Sequence, residues 1–545
     1  MMLASAIATS IGAPPPPTVT FGPAVRVNPE GVVWTECAIA ASQINDNEAA
    51  VIATTTDPLR GIAASINGFA TFGVYPHPPF RTSTEAVSAL KDPFAVSVRG
   101  SGRIWLGGLR GQTQGGSFAG INYANKEAGD TDWTSGFAIA GTQGVSDKPF
   151  MAVGPDPTLS STMYYVTYND QTMTACDSTN AQSAQVTGDA FLNTWTKLRI
   201  KPDTPDPETG DVCDYGGWGS LPVVTDSGVV VVTVLDRYPA VAGKYNARKP
   251  YVVFSDSAGA HWWPNNSAPN IPGFGMGVEA CPIWSDGPIG DFSPKVDRRK
   301  CAPTIAVDRS KSPNWVYVAY YARSEAGHPL TEDRNADLYI FRSVDGGLTF
   351  ANEGVHGLHM TDAMLGVAPG GLIEQGPDQI VPAMTIDCTG AVNLIYYDNR
   401  NDPSPGYDSE YFDVYHTRIT DFKQPTMQIT TTRLTPSSFP AEMFLGDYQT
   451  LAPAGPTGKK LYAAYIAREP VGSGWSSKNC YVRKITINLC AADLNGNGFA
   501  EGGDAESFSE AVSTSSPTAD LNEDGQIDTD DLETFVWSYE SMNAE

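Results

Sequence analysis

Short apolar runs rich in Val, Ile and Tyr, each paired across a polar turn with a second run, recur along most of the chain. Seven copies are recognisable. They are ECAIAASQINDNEAAVIATTT from Glu36, DPFAVSVRGSGRIWLGGL from Asp92, DKPFMAVGPDPTLSSTMYYVTYND from Asp147, LPVVTDSGVVVVTVLDRY from Leu221, CAPTIAVDRSKSPNWVYVAYYAR from Cys301, VPAMTIDCTGAVNLIYYDNR from Val381 and DYQTLAPAGPTGKKLYAAYIAR from Asp447. Runs this short, bounded by Gly, Pro, Asp and Asn, predict strands joined by hairpin turns. Successive copies begin about 55 to 85 residues apart, which leaves room for two further strands in each. The fifth copy shows both, as ADLYIFRSVD, a tight GG turn and LTFANEG. Four antiparallel strands repeated radially make a β-propeller blade. The expected fold is all-β, a seven-bladed β-propeller, with a six-bladed ring as the alternative if one copy is not a blade. The last copy runs out after a third strand, CYVRKITINL, while VTFGPAVRVNP near the N-terminus has no hairpin partner of its own. Pairing these two completes the last blade and removes two open sheet edges.

After Cys490 the pattern changes to a duplicated polar loop. The first copy, DLNGNGFAEGGD, places Asp493, Asn495 and Asn497 at positions 1, 3 and 5, Gly498 at 6, the carbonyl of Phe499 at 7, Glu501 at 9 and Asp504 at 12. The second, DLNEDGQIDTDD, repeats this with Asp520, Asn522, Asp524, Gly525, the carbonyl of Gln526, Asp528 and Asp531. Calcium takes six to eight hard oxygen donors on a flexible loop, and glycine at position 6 permits the sharp turn around the ion. Two such loops in register predict a small α-helical EF-hand-type module holding two Ca2+ ions. Each closes with Asp where a sensor EF-hand has the longer Glu. Phe508 and Phe535 each follow position 12 by four residues, on the short exiting helix, where the two units can pack together.

Composition narrows the function classes. Charged residues make up only 18%, with 53 Gly and 41 Pro, as a turn-rich β protein requires. A net charge of -26 excludes nucleic acid as a partner, because counterion release needs clustered Lys and Arg. No apolar run approaches the length of a transmembrane segment. The opening MMLASAIATSIGA is a poor signal peptide or its remnant, and the APPPP that follows is a stiff spacer. Residues 1–17 thus form a leader, 18–490 the propeller and 491–545 the calcium module. The eight cysteines show no CxxC spacing, and together with loops that fill only in high calcium they point to a secreted or cell-surface protein with disulfides. Cys281 with Cys301, then Cys176 with Cys213, are the expected pairs.

SVDGGLTF, from Ser343 to Phe350, matches the Asp-box pattern S-x-D-x-G-x-T-[WF] at every defined position, and SDSAGAHW, from Ser255 to Trp262, is a degenerate copy. Over residues 18 to 490 the chain resembles the sialidase-like propellers, in which this box is a structural hairpin between the third and fourth strands of a blade, away from the active site. The tail resembles type I dockerins, which tether secreted glycan-degrading enzymes to cohesin domains. Gly502, Gly503, Thr529 and Asp530 stand where that family commonly has Ser or Thr for recognition. The resemblance implies a cohesin-like or surface-protein partner, and the short link from Cys490 to Asp493 also allows the module to cap the propeller.

A propeller works at the mouth of its central channel, where each innermost strand begins. Glu36, Asp92, Asp147, Asp378 and Asp447 each precede such a strand, so their carboxylates are expected to converge there, for metal binding, for general acid work or as a polar rim. Arg110, Arg237, Arg323, Arg400 and Arg468 recur after the second strands, with Asp236 and Asp398 beside two of them. Sialidases hold their substrate carboxylate with three arginines, but recurrence in most blades favours a structural Arg–Asp bridge. The family's N-terminal arginine motif has only VRVNP, with Arg26, in its place. Its Tyr and Glu pair is represented by residue type in Asp447 with Tyr448 and in Tyr397 with Asp398. The resemblance implies a secreted, calcium-binding propeller acting on extracellular glycans or glycoproteins as a glycoside hydrolase, with Asp447, Tyr448, Asp147 and Glu36 as catalytic candidates. The alternative is a non-catalytic glycan- or protein-binding scaffold.

Overall fold

A computed structural model describes residues 19–55, 57–76, 90–109, 121–130, 132–137, 146–157, 161–170, 178–186, 196–199, 218–237, 246–257, 280–283, 303–323, 336–350, 357–367, 377–402, 411–440, 445–455, 458–494, 501–516, 519–521 and 526–542. Its strands form antiparallel meanders arranged as a β-propeller. The first meander runs Trp34–Ala41, Ala49–Thr55, Ile62–Ser65 and Gly73–Tyr75, the second Lys91–Ser97, Ile104–Leu109, Ile121–Lys126 and Thr134–Phe137. The third comprises Ser146–Pro155, Thr162–Asp170, Ser178–Val186 and Thr196–Arg199. An eight-stranded sheet follows. It joins the run Trp218–Val224, Val230–Arg237, Asn246–Ser255 and Ala280–Ile283 to the run Thr304–Asp308, Trp315–Arg323, Ala336–Ser343 and Gly357–Met360 through one residue pair, Ala280 with Ala322. The next meander begins at Gln379–Ile386 and continues through Val392–Asp398, Tyr411–Thr420 and Gln428–Arg433.

The last sheet closes the ring. Thr450–Ala454, Lys460–Ala467 and Asn479–Ile487 accept Val19–Arg26 as their outer strand, antiparallel, from Val19 opposite Ile487 to Arg26 opposite Tyr481. N- and C-terminal segments thereby share one sheet, and the outer edge of Asn479–Ile487 is covered. The first strand of each run contacts the first strand of the next in cyclic order, and Thr450–Ala454 contacts both Gln379–Ile386 and Trp34–Ala41. Second strands are buried on both faces, because a sheet stacks on each side: every residue of Val392–Asp398 and Lys460–Ala467 is buried. This is why these strands read as continuous apolar runs, IYY and AAYIA, instead of alternating.

SVDGGLTF forms the turn between the third and fourth strands of its run. Leu348 and Thr349 amides donate to Asp345 Oδ1 at 3.1 and 2.9 Å, and the buried Phe350 ring packs into the core. Beyond the propeller, helices α1 (Gly502–Ser513) and α2 (Thr529–Met542) make a separate small core in which Phe508 and Phe535 stack at 4.5 Å, as their positions anticipate. Ser538 Oγ on α2 donates to the Leu489 carbonyl at 2.8 Å and accepts from the Ala492 amide at 2.8 Å. Cys388, on a hairpin turn of the propeller, is disulfide-bonded to Cys490, with a Cα separation of 6.3 Å. Sequence spacing does not suggest this pair, because 102 residues separate two positions that only the ring brings together. Cys176, Cys213, Cys301 and the Cys281 side chain lie outside the described residues. Cys37 and Cys480 are buried free thiols.

Candidate functional site

The innermost strands share a local irregularity. Register shifts fall after Thr35, Lys91, Asp147 and Ile380, and at each shift a non-glycine residue takes a positive φ: Glu36 at 48°, Asp92 at 46°, Lys148 at 46° and Val381 at 54°. These are bulges, which swing a side chain out of the strand's alternation, and the left-handed backbone costs about 1–3 kcal/mol each. In the last sheet the turn into the strand is made by Gly446, at φ 121°, where a Cβ would come within 3.0 Å of the Glu36 amide nitrogen. The next residue, Asp447, then faces the bulged side chains.

The result is one buried charge cluster drawn from four innermost strands or their leading turns. Oxygens of Glu36, Asp92 and Asp447 lie within 4.8 Å of one another. The Lys148 ammonium donates to Asp447 Oδ2 in a close ion pair and to Asp92 Oδ1 at 3.4 Å. Thr54 Oγ1 donates to Glu36 Oε2 at 3.0 Å. Burial above all, then the neighbouring Asp92 carboxylate, pushes the Glu36 carboxyl up to about 8 against the opposing pull of Lys148. Glu36 therefore keeps its proton at neutral pH beside an ion-paired Asp447. Tyr448 sets its ring edge-on to Phe150 at 5.3 Å, with the Lys148 ammonium 5.8 Å from the ring centroid.

The cluster stands at the start of a cavity of about 320 Å3 along the propeller axis, walled by small apolar residues such as Ala40, Ala95, Ala152 and Ala383. At its opposite end Arg99 and Arg309 both bind Asp226, at 2.7 and 2.6 Å. Glu36, Asp92 and Asp447 gather as their sequence positions anticipate, with Tyr448 beside them, whereas Asp378 does not join them. The Asp147 side chain lies outside the described residues, and its neighbour Lys148 reaches the cluster. Asp378 instead accepts from the Ala336 amide at 2.8 Å and is held by Asn399. The signal for Lys148 was legible in DPF and DKPF, where a charged residue before Pro occupies the same strand position in adjacent copies.

Among the described residues no arginine pairs with these carboxylates. Arg400 forks to Asp398 at 2.6 Å and to the Leu365 carbonyl at 2.7 Å, over the Tyr415 ring, and Arg468 donates to the Ser476 carbonyl at 2.7 Å. Arg26 sits on the outermost strand of the last sheet, donating to the Pro29 carbonyl. Arg110 and the side chains of Arg237 and Arg323 lie outside the described residues. Tyr397 is buried, its hydroxyl bonded to the Ile466 carbonyl at 3.1 Å, which makes it a core group.

In the C-terminal module the closing residue of each loop is tied back to its start. Asp504 accepts from the amides of Leu494 at 3.0 Å and Glu501 at 2.9 Å, and Asp531 from those of Leu521 at 2.6 Å and Asp528 at 2.9 Å. Asp493, Asp504 and Asp531 are almost wholly buried, in a stretch from 491 to 545 that has no Lys, Arg or His. Buried carboxylates whose own module offers no cationic side chain fit a hard divalent cation. Asn495, Asn497, Phe499, Asn522 and Asp524 lie outside the described residues.

No family model and no curated protein matches the chain. Solved structures do. A protein of unknown function from Dyadobacter fermentans is 11% identical over 87% of this chain and 100% of that one, with a TM-score of 0.40. The α-L-arabinofuranosidase of Fusarium graminearum in complex with arabinobiose is 10% identical over 86% and 98%, at 0.38. A Trypanosoma rangeli sialidase mutant displaying trans-sialidase activity is 13% identical over 91% and 63%, also at 0.38. Identities and scores this low say nothing about substrate.

Proposed function

We propose that this is a secreted, seven-bladed, sialidase-like propeller that acts on extracellular glycans as a glycoside hydrolase at the mouth of its channel. The blade count rests on seven innermost strands in cyclic contact, with the eight-stranded sheet taken as two blades joined by a single pair. The observation that carries the activity is a buried Glu36, whose carboxyl is pushed up to about 8 by burial and by Asp92, beside an Asp447 held in an ion pair by Lys148. Glycoside hydrolysis needs this division between a carboxyl that gives a proton and a carboxylate that does not. Oxygens within 4.8 Å resemble the roughly 5 Å spacing of a retaining pair more than the 6.5–9.5 Å or so that admits a water. Glu36 would protonate the leaving oxygen while Asp447 attacks the anomeric carbon, and Glu36 would then deprotonate the water that releases the sugar. Asp92 and Lys148 hold the pair in register, and Tyr448 with Phe150 forms the apolar wall beside it. Asp147, the remaining candidate, stands next to this site in the chain.

The module is proposed to hold two calcium ions, the first on Asp493, Asn495, Asn497, Phe499, Glu501 and Asp504 and the second on Asp520, Asn522, Asp524, Gln526, Asp528 and Asp531. In a dockerin-like role it would join the propeller to a cohesin-like or surface partner outside the cell. A non-catalytic binder or scaffold is the second reading. It is favoured by the sealing of the cluster, since Glu36, Asp92, Lys148 and Asp447 are each less than 10% exposed.

The two readings separate on a panel of fluorogenic glycosides, sialosides included, assayed in calcium with Glu36→Gln and Asp447→Ala variants. Turnover that falls about 100-fold or more in both variants is expected. Silence of the wild-type protein across the panel, with retention on a glycan array, would select the binder.

A further inference from the structure

A second pocket opens between the first and second meanders, at the end of the sheets opposite Glu36. Its volume is about 160 Å3, well below the roughly 300–1,000 Å3 of sites that bury drug-sized ligands. Tyr75, from the outer strand Gly73–Tyr75, and Trp133, just before Thr134–Phe137, both pack on the core between the two sheets and line the pocket. Gly73 shapes it: a Cβ there would come within 2.6 Å of the Tyr75 hydroxyl, so only glycine lets that ring fold back over its strand. Phe72, 36% exposed, and Ile66, 55% exposed, extend the apolar rim.

The polar side is built as firmly. Lys126 is buried, pairs closely with the fully buried Glu48, donates to the Asp130 carbonyl at 3.0 Å and stands 5.9 Å from the Trp133 ring centroid. The Gly129 amide donates to Glu48 at 2.9 Å, so the turn that carries Asp130 is pinned from behind. Trp133 Nε1 is buried and has no hydrogen-bond partner among the described residues. An unmet buried indole N–H is costly, and Trp133 is one of the residues that line the pocket, which points to an acceptor supplied by a ligand.

We infer that this pocket is a carbohydrate-binding site for a single pyranose residue, separate from the channel. Aromatic faces take the C–H side of a sugar ring, the Trp133 N–H meets a hydroxyl oxygen, and the exposed Asp130 carboxylate accepts from hydroxyl groups. A phosphate or other small anion fits poorly, since the one ammonium is already paired with Glu48 and Asp130 would repel it. The pocket could serve either an enzyme or a scaffold, and it does not depend on chemistry at Glu36.

Saturation-transfer NMR with methyl pyranosides of glucose, galactose, mannose, fucose and N-acetylglucosamine, backed by a glycan array, tests it on the full chain with calcium. At least one sugar should bind, and Trp133→Phe, which keeps a ring but loses the donor, should weaken it about tenfold. Asp130→Asn, a surface change that spares the fold, should weaken the same sugar, while Glu36→Gln should leave it unchanged. The inference is overturned if no sugar binds the wild-type protein, if both pocket variants bind undiminished, or if Glu36→Gln abolishes the binding and so moves the ligand to the channel.

Discussion

At the scale of single residues, Glu36 carries the clearest pH signature. Its carboxyl is raised from 4.5 to about 8, so between those values the folded protein holds a proton that the unfolded chain has released. Its contribution to stability is complete below about 4.5 and drains away as pH rises toward 8. Glu36→Gln should remove this slope, which urea unfolding at a series of pH values will reveal; a slope unchanged in the variant means the proton sits elsewhere. As a proton donor, Glu36 should also give an alkaline limb to kcat/KM near pH 8. Lys148 is the counterpart. It is 2% exposed, and replacing it by Met leaves two buried carboxylates without their ammonium. Loss of one partner from a buried charge cluster costs about 3–5 kcal/mol, to be read as a shift in the denaturation midpoint, and a shift under about 1 kcal/mol would show that water reaches the site.

At the scale of elements, ring closure rests on one strand. Val19–Arg26 covers the outer edge of Asn479–Ile487, and Arg483 on that strand donates to the Gly22 carbonyl at 2.8 Å. Deleting residues 1–26 should expose that edge and produce dimers or larger species by light scattering, since an uncovered strand is a template for pairing. A truncated protein that stays monomeric with an unchanged midpoint would place closure in the core contacts of Thr450–Ala454 alone. The bulges are the second device at this scale. They aim Glu36, Asp92 and Lys148 inward from strands whose regular alternation would carry them elsewhere.

At the scale of the molecule, the propeller and the helical tail are joined by Cys388–Cys490 and by the Ser538 hydrogen bonds, yet each has its own core. Removal of the calcium proposed for the tail should therefore melt α1 and α2 selectively. Differential scanning calorimetry with and without a chelator is expected to show a small transition shift down while the main propeller transition holds. One cooperative transition that moves as a whole would mean that the tail is an integral part of the ring.

How much of this was legible follows from the range of each interaction. Hairpin strand pairs and the turn chemistry of SVDGGLTF are local, and the Phe508–Phe535 stack was legible from the duplication that sets each ring at the same place after its loop. Side chains a few residues apart in a strand, turn or helix meet by geometry alone, and the sequence by itself determined them. The missing outer strand was legible because an unpartnered edge at each end of the chain has one economical solution. The cluster was legible only in part, as carboxylates ahead of strands. That Lys148 brings its ammonium to the cluster, that Asp378 turns away, that Cys388 finds Cys490, and that Tyr75 meets Trp133 were decided by tertiary structure. In each case bulge direction and sheet-to-sheet packing act between residues tens to hundreds of positions apart, and no local rule fixes which way a bulged side chain turns.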